Sequence, residues 1–202
     1  MRKPQEFEHL VDAFHSLPGV GTKNAKKWAY FILNQDEKYL EDFITRIQAA
    51  KQNLHLCEIC GNLSNNTRCD ICLNPLRDKN QICVVASIEE LDRIEESGNY
   101  NGLYHVTHGE LSMKKNILAK DINIDNLLDR VQNDRRIDEI IVATNFTQDG
   151  EMTAAYILNL LEHVNIKIYR IGFGLPLNSS VDYADNETLK HALNNKRIIK
   201  RF

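Results

Sequence analysis

Four cysteines, Cys57, Cys60, Cys69 and Cys72, form two Cys-x-x-Cys pairs separated by the eight residues 61–68. Two such pairs flanking a short polar loop have the spacing of a tetrahedral four-thiolate zinc site. Each pair supplies two ligands, and the loop lets the second pair fold back onto the first. Four protein ligands leave no position for water and Zn2+ has no redox chemistry, so the expected role is structural. Two disulfides, which would need an oxidising compartment, or four unrelated thiols are the competing arrangements. The N-terminus Met1-Arg2-Lys3-Pro4-Gln5-Glu6 has no apolar stretch behind its basic residues, so the expectation is a cytoplasmic protein with reduced thiols. The fifth cysteine, Cys83, lies in Ile82-Cys83-Val84-Val85 and reads as a small apolar thiol in a buried strand.

A second constellation follows residue 17. Phe7, Leu10, Val11 and Phe14 recur at helical spacing, Leu17-Pro18-Gly19-Val20-Gly21 breaks the pattern, and Ala25, Trp28, Ala29 and Ile32 resume it. The order is helix, tight turn, helix. Gly19 and Gly21 are expected to adopt conformations a Cβ would forbid, bringing the amides at the start of the second helix within reach of a ligand. Those amides and the helix dipole suit a phosphate, and Lys23 and Lys27, four apart on one face, add charge from the side. Such contacts touch backbone phosphate and carry no base information, so the predicted binding is sequence-independent and weakened by salt. Pro-Gly-x-Gly with lysines straight after it resembles the helix-hairpin-helix motif of DNA-binding proteins; a plain helical hairpin is the structural alternative. Trp28, Tyr30 and Phe31 are aromatic enough to stack on bases, but Trp28 shares a face with Ala25 and Ile32 and is expected in the core.

The elements around these residues must fit in 202 residues, which is room for one large or two small domains, and no apolar run is long enough to span a bilayer. Net charge is −3. Its distribution matters more than its sum: no acid lies between Asp12 and Asp36, and the end of the chain from Thr188 on carries Lys190, Lys196, Arg197, Lys200 and Arg201 without one. Local basic faces on an acidic body fit phosphate binding as well as ordinary solvated helices. Residues 40–56 read as a further amphipathic helix and the polar residues 62–67 as a loop.

From residue 81 short apolar runs alternate with helical patterns. Strands are expected at 82–86, 103–106, 140–143 and 166–171, and helices at 89–97, 124–131 and 151–161. That βαβαβαβ order predicts an α/β fold, a mostly parallel sheet covered by helices on both faces, whose ligands gather at the carboxyl ends of the strands. Residues 109–121 break the pattern. The expected division is a helical segment 1–56, a zinc finger 57–80, the α/β domain 81–176 and a C-terminal segment 177–202.

Leu17-Pro18-Gly19-Val20-Gly21, the four-cysteine knuckle, Tyr104-His105-Val106, Ala143-Thr144-Asn145, Gly150-Glu151-Met152-Thr153-Ala154 and Gly174-Leu175-Pro176 occur in this order. Together they resemble the RecR family of bacterial recombination mediators. The likeness runs nearly end to end and includes Asp182-Tyr183-Ala184-Asp185 and Thr188-Leu189. It implies a helix-hairpin-helix segment, a four-cysteine zinc finger, a Toprim domain and a ring-like homotetramer that encircles or clamps DNA. It also implies partnership with the RecO and RecF proteins in loading recombinase at single-stranded gaps during repair. Carried over by residue, Lys23 and Lys27 with Gly19 and Gly21 match the DNA-contacting hairpin, and Cys57, Cys60, Cys69 and Cys72 match the zinc ligands.

Enzymes with a Toprim domain use a glutamate after the first strand, with later aspartates, to position Mg2+ for phosphodiester chemistry. Here Ala86 stands at that point, and a methyl group neither binds metal nor moves a proton. The expectation is therefore a non-enzymatic protein, against the alternatives of a Mg2+-dependent Toprim nuclease or primase-like enzyme and of a protein-only adaptor. Asp149 and Glu151 flank Gly150 at a predicted helix start and form a possible weak cation site, or simply complement the helix dipole. None of the seven tyrosines sits in a recognisable nucleophile motif. Ser112-Met113 stands where the family has Ser-Pro, and His105 and His108 are expected to be structural or surface residues.

Overall fold

The computed structural model describes residues 3–172, 174–175, 178 and 180–195; Pro176 and the basic tail residues Lys196, Arg197, Lys200 and Arg201 lie outside them. The chain divides into two compact units, one ending at Leu54 and one beginning at His55.

The first unit is helical: α1 (Gln5–His15), α2 (Thr22–Leu33) and α3 (Glu37–Asn53). Ala25 and Ala29 are fully buried, and their small side chains let α2 lie close against Val11 of α1, with Phe7, Leu10, Phe14 and Val20 packed around. Trp28 is not core as expected: it is 40% exposed and meets Phe14 edge-on at 5.9 Å. The two alanines, four apart, carry the contact stripe, and a residue three after Ala25 is rotated to its rim. Asp36 caps α3, accepting from the Tyr39 amide at 2.7 Å. The helix starts and ends three residues before the expected 40–56, and none of its residues is buried.

The second unit opens with a two-stranded antiparallel ribbon: β1 (His55–Leu56) stands at the end of the expected helix 40–56, and its partner β2 (Leu63–Ser64) within the expected loop 62–67. The short helix α4 (Asp70–Leu73) follows. A four-stranded parallel sheet comes next, from β3 (Gln81–Val85), β4 (Leu103–Val106), β5 (Glu139–Val142) and β6 (Lys167–Arg170), in the order β4-β3-β5-β6. The crossovers are α5 (Ile88–Glu96), α6 (Asp125–Asn133) and α7 (Gln148–Leu160), and α8 (Asn186–Asn194) lies beyond the sheet.

Side chains alternate across the sheet. Ile82, Val84, Ile140 and Val142 pack with Leu127, Val131, Ile157 and Leu161 on one face, while Cys83, Val85, Tyr104 and Val106 pack with Leu91 on the other. Each fully buried aliphatic side chain contributes roughly 1.5–3 kcal/mol. The βαβαβαβ order and the two covered faces are as predicted. Residues 109–121 carry an isolated bridge between Ser112 and Ile117 and a 3-10 turn, Ala119–Asp121. Arg77, in the link between α4 and β3, donates to both carboxylate oxygens of Glu95 on α5, and Tyr104 donates to Glu95 at 2.6 Å. That linkage fixes where the chain enters the sheet.

Candidate functional site

The two Cys-x-x-Cys turns are built by backbone hydrogen bonds. The Cys57 amide donates to Asn62 O at 2.7 Å, Gly61 N returns to Cys57 O at 2.8 Å, and Asn62 N donates to the Cys60 sulfur at 3.4 Å. Gly61 has φ +77°, a left-handed turn that favours glycine. The second pair sits at the start of α4, with Cys69 at its N-cap.

All four sulfurs lie within 4.8 Å of one another, with Cys60–Cys69 at 3.5 Å and Cys57–Cys72 at 3.9 Å. A tetrahedral ion with Zn–S bonds of about 2.3 Å has edges of about 3.8 Å, so the sulfurs already stand at ligand spacing. Hydrogen bonds from Cys60 and Cys72 draw the Cys69 thiol below its usual range, and a bound cation favours the thiolate form of all four. The donor set fits one structural zinc. The knuckle also closes the sheet: Val106 N, on edge strand β4, donates to Cys60 O at 2.7 Å.

In the hairpin Val20 N donates to Leu17 O at 3.2 Å, and Gly19 takes φ +76°. Gly21 does not share that requirement: as the N-cap of α2 its φ is −76°, which any residue adopts. What Gly21 lacks is a capping oxygen. The first turn of α2 has no side-chain cap and no acid, whereas α3, α5, α7 and α8 each have both. Lys23, Lys26 and Lys27 are exposed on α2, and among the described residues no ion pair engages them.

At the carboxyl ends of the strands a cleft of about 540 Å3 is lined by Ala86, Glu90, His108, Glu110, Asn145 and Asp149 among others. Glu90 reaches back one helical turn, accepting from the Ala86 amide at 2.7 Å and the Ser87 amide at 3.3 Å, while Ser87 caps α5 in return. A carboxylate thus lies beside position 86 although position 86 has none. Asn145 gathers the acids, its Nδ2 donating to Glu90 at 2.8 Å and to Glu110 at 3.1 Å.

Asp149 and Glu151 part company. Asp149 lines this cleft, whereas Glu151 accepts from Arg170 at 2.8 Å beside another hollow. Arg170 also donates to Val142 O and Asn145 O and lies over the Phe146 ring at 4.2 Å. Sequence reasoning missed Glu90, Glu110 and Arg170. Ser87-x-x-Glu90 was legible as a capping box, but nothing in the sequence brings Glu110 to Asn145. His105 is fully buried, with Nε2 on Asn123 O at 2.6 Å.

A parallel sheet with an acidic cleft at its strand ends, a four-cysteine zinc knuckle on its edge, and a separate helical unit with a glycine turn define a zinc-finger Toprim protein carrying a helical hairpin. Family models match in that order. The RecR helix-hairpin-helix model covers residues 7–51, the RecR four-cysteine zinc finger domain 54–74, the Toprim domain 80–172 and the RecR C-terminal model 174–197.

Proteins named "Recombination protein RecR" are similar over nearly the whole chain. That of Ureaplasma parvum serovar 3 is 55% identical over 99% of this chain and 100% of its own length. That of Lactobacillus helveticus is 42% identical over 96% of this chain and 97% of its own. The chain belongs to the RecR family of recombination proteins. Among the described residues, no helix is long and apolar enough to cross a membrane.

Proposed function

We propose that this protein is a non-enzymatic, DNA-binding recombination mediator in the cytoplasm, acting in recombinational repair as a ring-like homotetrameric clamp. It works with the RecO and RecF proteins to load recombinase at single-stranded gaps. The observation that carries the proposal is the start of α2: unpaired amides with no cap and no neighbouring acid, flanked by Lys23 and Lys27. An anion is what that end lacks. Backbone phosphate of single-stranded or gapped duplex DNA supplies it without base readout.

Oligomerisation explains how a chain of net charge −3 holds DNA, since several copies of one basic end on a shared inner surface raise avidity without new contacts. The exposed rings of Phe31, Tyr39 and Phe43, which touch in series at 6.0 and 6.3 Å, support such an assembly, because contiguous exposed apolar patches mark interaction surfaces. Light scattering at micromolar concentration tests the clamp. A mass near four chains is expected with and without DNA; monomer alone in both conditions overturns it.

The acidic cleft favours an alternative reading, a Mg2+-dependent Toprim nuclease or primase-like enzyme. Glu90, Glu110 and Asp149 face one cavity, and oxygen ligands of this kind suit Mg2+. Asp149 is the member of the sequence-predicted cation pair left to such a site, because Glu151 is held by Arg170. Strand cleavage that requires Mg2+ and disappears in Asp149→Asn would establish it; DNA left intact under those conditions retains the mediator.

A further inference from the structure

A separate hollow of about 220 Å3 lies in the seam between the zinc knuckle and the sheet, walled by Cys72 and Leu103 and by charged residues from four segments. Arg68 comes from the knuckle loop, Lys79 from the link before β3, Arg130 from α6, and Arg136 with Asp134 from the turn after α6. Four cations therefore face one carboxylate and the Cys72 thiolate of the zinc site. That carboxylate is already taken: Arg136 grips Asp134 in a fork, Nε at 2.8 Å and Nη2 at 2.6 Å, and holds its carboxyl below the ordinary range. Among the described residues Arg68, Lys79 and Arg130 have no ion pair.

Arg130 is the informative member. Its Nη1 donates to Tyr104 O at 2.6 Å, a carbonyl on edge strand β4, which fixes the guanidinium in place. Its Nη2 is buried and has no hydrogen-bond partner. Buried N–H groups without partners are rare in folded proteins, and guanidinium forks match tetrahedral oxyanions. With water occupying about 30 Å3 per molecule, the hollow has room for such an anion and several waters.

We propose that this seam is a phosphate-binding site, in which Arg68, Lys79 and Arg130 hold one phosphate group. The phosphate is either a backbone phosphodiester of nucleic acid or a free phosphate. The site is distinct from the hairpin of α2 and does not depend on it. A nucleic-acid phosphate here would give each chain a second, sequence-independent contact beside the zinc knuckle.

The test is titration of the zinc-loaded full chain with inorganic phosphate at constant ionic strength, followed by amide and guanidinium NMR shifts. Saturable shifts are expected at Arg68, Lys79, Leu103 and Arg130. Arg68→Gln/Lys79→Gln should weaken binding at the seam about tenfold or more, and Arg93→Gln, on the exposed face of α5, should leave it unchanged. Arg68→Gln alone, at an exposed loop position, should act in the same direction even if the double variant disturbs the knuckle. Shifts that never saturate, or that neither Arg68 variant alters, overturn the site.

The salt dependence of DNA binding then identifies the source. A slope reduced by about one or two in the double variant places a backbone phosphate in the seam. An unchanged slope with lost phosphate binding assigns the site to free phosphate. Loss of DNA binding in the Lys23/Lys27 variant alone tests the hairpin and leaves the seam untouched.

Discussion

The Val106 amide donates to the Cys60 carbonyl at 2.7 Å, so edge strand β4 of the parallel sheet ends on the backbone of a zinc ligand. An unpaired edge strand is a template for aggregation unless something covers it. Here the zinc knuckle provides cover, and the metal that holds two Cys-x-x-Cys turns together also holds the end of β4.

Zinc removal should therefore be felt in the sheet. Cys57→Ser or Cys72→Ser should drop the metal content from about one zinc per chain to nearly none and unfold the knuckle. Amide exchange at Val106 should accelerate strongly, while Val84, in the centre of the sheet, stays protected. Metal analysis that finds neither zinc nor iron in the native chain would refute the site, and unchanged Val106 exchange would refute the coupling.

Gly61 is where knuckle and sheet come closest. A Cβ there would stand 2.8 Å from His108 Nε2, 3.0 Å from Val106 O and 3.2 Å from Asn123 Nδ2, on a backbone with φ +77°. Gly61→Ala combines left-handed strain with a contact against main chain, and should destabilise the second unit by roughly 1–3 kcal/mol. Gly21→Ala, with open space and φ −76°, should cost under about 1 kcal/mol. Denaturant midpoints for the two variants check the contrast; equal losses would contradict it.

His105 sets an acid limit on stability. Burial pushes its imidazole down to about 4, and because the Asn123 carbonyl can only accept, Nε2 carries the proton and Nδ1 is bare. The folded value lies below the unfolded value of about 6.5, so the unfolded chain binds the extra proton between them. The contribution is complete above about pH 6.5 and is lost as pH falls through 4. Between pH 7 and pH 5, in zinc-saturated buffer, it should amount to about 2 kcal/mol. Urea unfolding at both pH values should show this loss, and His105→Gln should flatten it. An NMR titration of His105 centred near 6.5 would contradict the assignment.

Much of this was legible in the sequence, for identifiable reasons. Cys57, Cys60, Cys69 and Cys72 announce their ligand geometry because a four-thiolate knuckle needs that local spacing. The helices and parallel strands follow from apolar periods that the observed burial repeats. The ribbon of β1 with β2 was hidden because two-residue strands have no period, and it rests on backbone bonds such as Cys57 N to Asn62 O. Trp28 misled because lying near the apolar stripe of α2 differs from lying within it. The split of Asp149 from Glu151 needed Arg170, nineteen residues on from Glu151, and the convergence of Glu90 and Glu110 on Asn145 spans still longer stretches of chain.

In the proposed clamp, Lys23 and Lys27, at the uncapped start of α2, hold DNA by its backbone. The most direct test is fluorescence anisotropy of labelled single-stranded and gapped duplex DNA against salt, with the native chain and Lys23→Glu/Lys27→Glu. Native binding should fall steeply with salt, be indifferent to sequence and be lost in the double variant. Binding by the double variant with native affinity and native salt slope, or no native binding even at low salt, would contradict the account.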